Sequence, residues 1–376
     1  METPNSQRIH ISIFGKCNSG KSTLANAILG QELSIVSDTK GTTTDPVSKA
    51  MELLPLGPVV ITDTAGFDDD SQLGEKRIAK TRQILNKTDI AILVVAEDDL
   101  SDSEKKFTEL LEQKKIPSLI FKNDRTEKID REKIIGKIIQ AAKENISGKK
   151  ILEGIASKGD TVVLVCPIDD AAPKGRLILP QMLVLRELLD MHAKAVVIQP
   201  EELEQTVEDL KVQPKIVITD SQAFKAVAQI LPDGIPLTSF SILMAKYKGY
   251  LNCALRAVDS VKELKDGDRI LISEGCTHHR QCGDIGSVKI PMALKKITGK
   301  HLEFTFTSGT EFPEHLGDFS LVIHCGGCMV TEREILYRMK CAEDQQVPFC
   351  NYGIFLAMAN GILQRAVDPV KKSVSK

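Results

Sequence analysis

Two patterns of apolar and polar positions recur along the chain. Short runs rich in β-branched and apolar residues, at 8–14 (RIHISIF), 59–62, 89–95 (DIAILVV) and 117–121, read as buried strands of a sheet. Between them, apolar residues spaced three or four apart read as helices over 22–30, 73–87 and 101–114. Ile134, Ile138 and Ala142 mark a further helix covering most of 125–160. Strands alternating with helices predict an α/β fold with a doubly wound parallel sheet, whose ligands sit at the C-terminal strand ends. The same alternation resumes with strands at 161–167, 195–198, 215–219 and 235–238 and helices at 180–192, 202–209 and 221–231. A third stretch has strands at 269–273 and 321–323 and a helix opening at Thr331. At 376 residues the chain is too long for one ordinary core, and we expect three α/β domains, at 1–155, 156–258 and 259–376.

The first strand–helix junction carries Gly15-Lys16-Cys17-Asn18-Ser19-Gly20-Lys21-Ser22, followed by Thr23. It fits the phosphate-binding pattern G-x-x-x-x-G-K-S/T at every fixed position. Backbone N–H groups and a helix N-terminus then face one anionic group. Lys21 reaches the β- and γ-phosphates and the Ser22 hydroxyl ligands Mg²⁺. Downstream, Lys40-Gly41-Thr42-Thr43-Thr44-Asp45 offers a threonine that can complete Mg²⁺ coordination. Asp63-Thr64-Ala65-Gly66 follows a strand, so Asp63 can hold Mg²⁺ through water and Gly66 can offer its N–H to the γ-phosphate. Ser101-Asp102-Ser103-Glu104 has capping-box spacing, and strand 117–121 ends at Lys122-Asn123-Asp124.

The stretches 15–22, 40–45, 63–66 and 121–124 together resemble the signatures of the Ras-like GTPases of the Era/TrmE group. The resemblance implies GTP as ligand, phosphate contacts from Gly15 to Ser22, Mg²⁺ on Ser22 and Thr43, and base contacts from Lys122 and Asp124. Phe121 stands where the group has the Asn of its N-K-x-D signature, so weaker guanine binding is expected. The group's Ser-Ala turn is not found, and the domain reads as truncated after Asp124. Asn18 stands where potassium-activated members place a K⁺ ligand; otherwise it is an ordinary loop residue. Phe67 replaces a water-orienting Gln, which implies a slow intrinsic rate. Glu75 matches a water-positioning Glu of the TrmE relatives, or is a solvated helix residue.

Composition narrows the partners. A net charge of −2 gives no basic field for nucleic acid, and 4% aromatic residues without tryptophan provide no base-stacking surface. No apolar run approaches the ~20 residues that span a bilayer, so no membrane partner is expected. Nine cysteines and a polar 1–7 segment lead us to expect the reducing cytoplasm, with metal ligation favoured over disulfides. In the second domain, Asp169 to Arg176 is the only pointed loop, and no nucleophile–base pair is apparent; scaffolding or an oligomer interface is expected there.

Cys276-Thr277-His278-His279 and His324-Cys325-Gly326-Gly327-Cys328 each follow a strand, and the second precedes the Thr331-x-x-Glu334 capping-box spacing. Thiolates therefore gather at strand ends beside a helix N-terminus, where glycine and helix amides can donate to an anionic iron–sulfur cluster. Cys276, Cys325 and Cys328 would hold three irons, leaving His324, His278, another side chain or water for the fourth. A zinc site is the alternative. Cys282 is a substitute ligand or a loop thiol, and Cys166, Cys253, Cys341 and Cys350 read as small core residues.

A phosphate-binding loop joined to C-T-H-H and H-C-G-G-C is similar to the HydF family of [FeFe]-hydrogenase maturation GTPases. The stretches 172–181, 218–223, 236–249, 284–291 and 351–361 agree. The resemblance implies a GTPase domain, a dimerisation domain and a cluster domain, in that order. It implies a scaffold that carries a [4Fe-4S] cluster and a diiron precursor, forms a dimer or higher homo-oligomer, and hydrolyses GTP slowly with K⁺. It implies the two radical-SAM maturases and apo-[FeFe]-hydrogenase as partners. A regulatory GTPase with structural zinc and an RNA-modification GTPase are the competing expectations.

Overall fold

The structure, a computed structural model, describes residues 3–30, 46–67, 81, 83–97, 99–124, 129–145, 148–168, 177–275, 284–309 and 311–371. The chain forms two compact units, Met1–Gly148 and Lys149–Lys376.

In the first unit the strands are β1 (Ile9–Gly15), β2 (Val47–Leu53), β3 (Gly57–Asp63), β4 (Ile90–Val95) and β5 (Ser118–Lys122), ordered β2-β3-β1-β4-β5. β2 runs antiparallel to β3, and the other neighbours are parallel. Alternation along β4 supplies two cores at once. Ile90, Ile92 and Val94 join Ile11, Ile13, Leu24 and Ile138 on one face; Ala91, Leu93 and Val95 join Phe14 and Phe107 on the other. Helix α1 (Lys21–Leu29) ends where Gly30 turns left-handed and its N–H reaches Asn26 O at 2.9 Å. Helix α2 (Asp102–Gln113) starts at the expected box, with Ser101 N–H donating to Glu104 Oε2 at 2.9 Å. Helix α3 (Arg131–Asn145) buries Ile134, Ile138 and Ala142. The expected helix over 73–87 lies largely outside the described residues, and β2 was not anticipated.

The second unit holds two fully parallel sheets. The first is β6 (Thr161–Val165), β7 (Lys194–Ile198), β8 (Ile216–Thr219) and β9 (Leu237–Ser239), ordered β7-β6-β8-β9. The second is β10 (Arg269–Glu274), β11 (Glu303–Ser308), β12 (Leu321–His324) and β13 (Phe349–Asn351), ordered β11-β10-β12-β13. Helices α4 (Leu179–Asp190), α5 (Leu203–Asp209) and α6 (Phe224–Ile230) match expected ones, with α6 starting three residues later than its spacing suggests. Helices α7 (Phe240–Tyr247), α8 (Leu251–Ala257) and α9 (Ile290–Thr298) add to these, followed by α10 (Glu332–Asp344), α11 (Tyr352–Ala359) and α12 (Leu363–Lys371). One continuous hydrophobic core runs beneath both sheets, from Ile151 to Val370. Among the described residues no helix is long and apolar enough to cross a membrane.

Candidate functional site

The phosphate-binding loop leaves β1 and enters α1. Gly20 has φ +97°, and the Lys21 side chain is buried with Nζ donating to Lys16 O at 2.6 Å. The Ser22 hydroxyl donates to Asp63 Oδ2 at 2.6 Å, so the two expected Mg²⁺ groups meet. Burial pushes the Asp63 carboxyl above its ordinary value, against the Ser22 hydrogen bond and the Lys21 charge. Two buried oxygens here, Ser19 Oγ and Asp63 Oδ1, have no hydrogen-bond partner. Orphaned oxygens at the end of a P-loop fit a phosphate and a hydrated divalent cation, which would satisfy them. Gly66 comes so near the loop that an added Cβ would lie 2.5 Å from Cys17 Sγ and 2.6 Å from Cys17 N.

Phe67 stacks on Phe107 at 4.8 Å, which in turn packs on Phe14 at 5.0 Å, so its ring is spent on the core. Asn18 sits exposed at φ +60°. Lys122 and Asp124 are exposed at the end of β5, and Asn123 N–H continues the strand by donating to Val95 O at 2.9 Å. Sequence reasoning missed Asn123, whose side-chain Nδ2 donates to Ser19 O at 2.9 Å. Thr43 and Glu75 lie outside the described residues.

In the second unit, β12 delivers His324 and Cys325. Cys325 N–H donates to Ser273 O at 2.8 Å, extending the pairing with β10. The Cys325 sulfur accepts two backbone N–H bonds, from Gly275 at 3.0 Å and Gly327 at 3.3 Å. Burial pushes the Cys325 thiol up to about 11 and raises that of Cys328, against which the Lys248 charge acts. Metal binding at these sulfurs must therefore expel protons. Lys248, wholly buried at the end of α7, donates its ammonium to Gly327 O and, at 2.6 Å, to Val330 O. A dry cation bonded to carbonyls calls for a nearby anion, and N–H donors converging on a sulfur favour a thiolate. That donor set fits an anionic metal–thiolate group. Among the described residues no three His, Cys, Asp or Glu side chains converge; Cys276, His278 and Cys282 lie outside them, as does 169–176.

His324 is fully buried. Arg338 Nη1, which can only donate, lies 3.1 Å from Nε2, so Nδ1 carries the proton and donates to Cys325 O at 2.8 Å. Burial and the Arg338 charge hold this imidazole neutral, down to about 3. Both nitrogens are engaged, and ligation through Nε2 would require Arg338 to let go. Arg338, also buried, donates to Glu334 Oε1 from Nε at 3.0 Å and from Nη2 at 2.9 Å, and to Gly309 O at 2.7 Å. Thr331 caps α10 as its spacing predicts, accepting from Glu334 N–H at 3.2 Å, while the Glu334 carboxylate pairs with Arg338. Neither Lys248 nor Arg338 stood out in the sequence; Lys248 lies in an apolar stretch, where a charged residue was the available signal.

Residues 10–124 match a family model described as a 50S ribosome-binding GTPase. Over 125 residues the chain is 40% identical to the tRNA modification GTPase MnmE of Desulforamulus reducens, covering 32% of this chain and 27% of that one. Over 90 residues it is 46% identical to GTPase Der of Wolinella succinogenes, covering 23% and 19%. The chain thus spans about a quarter of the length of these curated relatives. A solved Aquifex aeolicus Era variant bound to GDP·AlF4⁻ aligns over 82% of this chain and 97% of that one at 16% identity. Its TM-score of 0.27 is too low to bear on fold or function. Residues 151–249 match the hydrogen maturase F dimerization domain and residues 252–369 its tetramerization domain, together more than half of the 376 residues. With a P-loop GTPase fold ahead of these two regions, the chain belongs to the hydrogen maturase F family, the [FeFe]-hydrogenase maturation GTPases.

Proposed function

We propose that this protein is a cytoplasmic, homo-oligomeric maturation scaffold that binds and slowly hydrolyses GTP. In this reading it holds a [4Fe-4S] cluster on Cys276, Cys325 and Cys328 and passes a diiron cargo to apo-[FeFe]-hydrogenase, working with the radical-SAM maturases. The domains divide as GTPase at 1–155, dimerisation at 156–258 and cluster binding at 259–376. The observation that carries the reading is the cradle at Cys325, whose sulfur takes two N–H bonds on a loop held by a buried ammonium. When bound, the cluster supplies an iron with an exchangeable ligand, where cargo can attach and leave. His324 supports the loop from behind through Cys325 O.

On the nucleotide side, Lys21 leaves Lys16 O for the β- and γ-phosphates, and Ser22 parts from Asp63 so that both face Mg²⁺. Ser22 and Thr43 would hold Mg²⁺, which when bound would neutralise phosphate charge, and Gly66 N–H would meet the γ-phosphate. Asn18 would hold K⁺, which would add positive charge beside the phosphates. Glu75 positions water. Asp124 reads guanine beside Lys122.

Iron and acid-labile sulfide in anaerobically reconstituted protein test the cluster. Wild type should hold about four of each, and Cys325→Ser should lose most of both. Zinc without sulfide would favour a regulatory GTPase with a structural Cys/His site. Lys21→Ala should abolish GTP turnover, and exchanging Na⁺ for K⁺ should raise wild-type turnover ~10-fold, or ~1.4 kcal/mol in the barrier. Equal rates in both salts would remove the K⁺ role.

A further inference from the structure

Two buried donors beside the cysteine loop have protons left over. Helix α7 ends in a turn whose bonds fix its geometry. Gly249 N–H donates to Lys246 O and Tyr250 N–H to Ala245 O, both at 3.0 Å, with Gly249 left-handed at φ +80°. That turn sets Lys248 and Tyr250 on either side of one glycine, and both are buried. The Lys248 ammonium carries three protons, and its bonds to Gly327 O and Val330 O use two.

Tyr250 is the sharper case. Asn351 Oδ1 accepts from Ile354 N–H at 2.8 Å, which fixes the amide's orientation and leaves Nδ2 facing the Tyr250 oxygen at 3.3 Å. An amide NH2 group can only donate, so the phenol oxygen accepts in that bond and keeps its own proton uncommitted. Among the described residues nothing takes that proton up. The fully buried ring packs edge-on to Phe349, centroids 6.2 Å apart, so water does not take it either. Burial pushes the phenol's pKa up, and the charges of Cys325 and Cys328 push the same way; those two charges also act on Lys248. The proton therefore stays on the oxygen, and both donors stand near the same sulfurs. A buried donor is costly to leave unmatched, and an anionic group on Cys325 and Cys328 would match it.

We propose that Tyr250 is a hydrogen-bond donor to the metal–thiolate group, giving its uncommitted proton to a sulfur of that group beside the Lys248 charge, and that it thereby raises the group's reduction potential. This rests on the cluster reading above. Donors to cluster sulfurs favour the more negative, reduced state.

An EPR-monitored redox titration of the reconstituted full-length protein tests it. Tyr250→Phe keeps the ring and its packing on Phe349 and deletes only the hydroxyl. The reduced cluster should be disfavoured ~10-fold, a midpoint ~59 mV more negative for one electron, with iron and sulfide at the wild-type level. Asn351→Ser keeps a hydroxyl to cap α11, as Ser239 caps α7, but no longer polarises the phenol, so it should shift the midpoint the same way by less. A Tyr250→Phe midpoint less than ~18 mV from wild type, under twofold, overturns the inference, as does a shift to more positive potential. Where circular dichroism shows Tyr250→Phe unfolded, or it holds no iron, Asn351→Ser decides alone, and its unchanged midpoint overturns the inference. Wild type that assembles no iron and sulfide would instead sink the cluster reading itself.

Discussion

Removing Arg338 offers the sharpest energetic test of the cysteine site's support. Its guanidinium is 1% exposed and faces Glu334, 5% exposed, so Arg338→Leu strands a carboxylate in the protein interior. Breaking a buried pair by deleting one partner costs ~3–5 kcal/mol. The Gly309 carbonyl and His324 Nε2 lose their donors too, each worth ~1 kcal/mol or more when left unmatched. A total of about 5 kcal/mol in a unit of this size lowers Tm by ~10–20 °C. Arg338→Leu with Glu334→Leu removes both charges and should regain most of the loss, because no ion is left in a dry site. Thermal melts of the metal-free full chain by circular dichroism read the shift, and hydrogen exchange over 332–344 assigns the transition. A single variant melting within ~3 °C of wild type, or a double variant worse than the single, would refute the reasoning.

Three further outcomes are expected. Gly66→Ala drives a Cβ into Cys17, so kcat for GTP should fall at least ~10-fold; an unchanged kcat would mean that Gly66 does not need to approach the loop. Lys248→Met takes the donor from Val330 O and one of two donors from Gly327 O, which keeps the Val330 N–H, and removes the cation beside the sulfurs. Cobalt(II)–thiolate absorbance should then report affinity weakened ~10-fold or more, and equal affinity would deny Lys248 that part. His324 stays neutral in the fold to about pH 3, whereas the unfolded chain protonates it near 6.5. Protons then bind the unfolded state preferentially, so metal-free stability should fall by up to ~1.4 kcal/mol per pH unit below 6.5, with His324→Gln flattening the slope in urea titrations.

Local chemistry made much of the first unit legible. An apolar run, a fixed glycine spacing and a helix stop at Gly30 are neighbours in sequence, and they fold as neighbours. β2 escaped notice because Val47 to Leu53 mixes Lys49 and Glu52 into an exposed edge strand, whose identity comes from its pairing with β3. Helices α7 and α11 escaped for the opposite reason. Ile242, Leu243, Met244 and Ala245 are buried in succession, so no helical stripe remains to be read. The Thr331 spacing was readable, but the end of the Glu334 carboxylate was not, since Arg338 lies outside the capping pattern. Asn123 and Lys248 act through carbonyls far away in sequence, at Ser19, Gly327 and Val330, and local spacing carries no trace of such partners.

Helix α7 leaves the first sheet of the second unit yet is fastened at both ends to the other. At its start, Ser241 O accepts from Asn351 Nδ2 at 3.2 Å, and at its end Lys248 is held in the cysteine loop. The boundary between the dimerization and tetramerization regions, near residue 250, is therefore a seam in assembly and not in folding. A gene cut there would separate an ammonium from its cradle and split one core in two. The mechanical reach is as consequential. Eight helical residues make a rod of ~12 Å, which joins the end of the first sheet directly to the loop bearing Cys325 and Cys328.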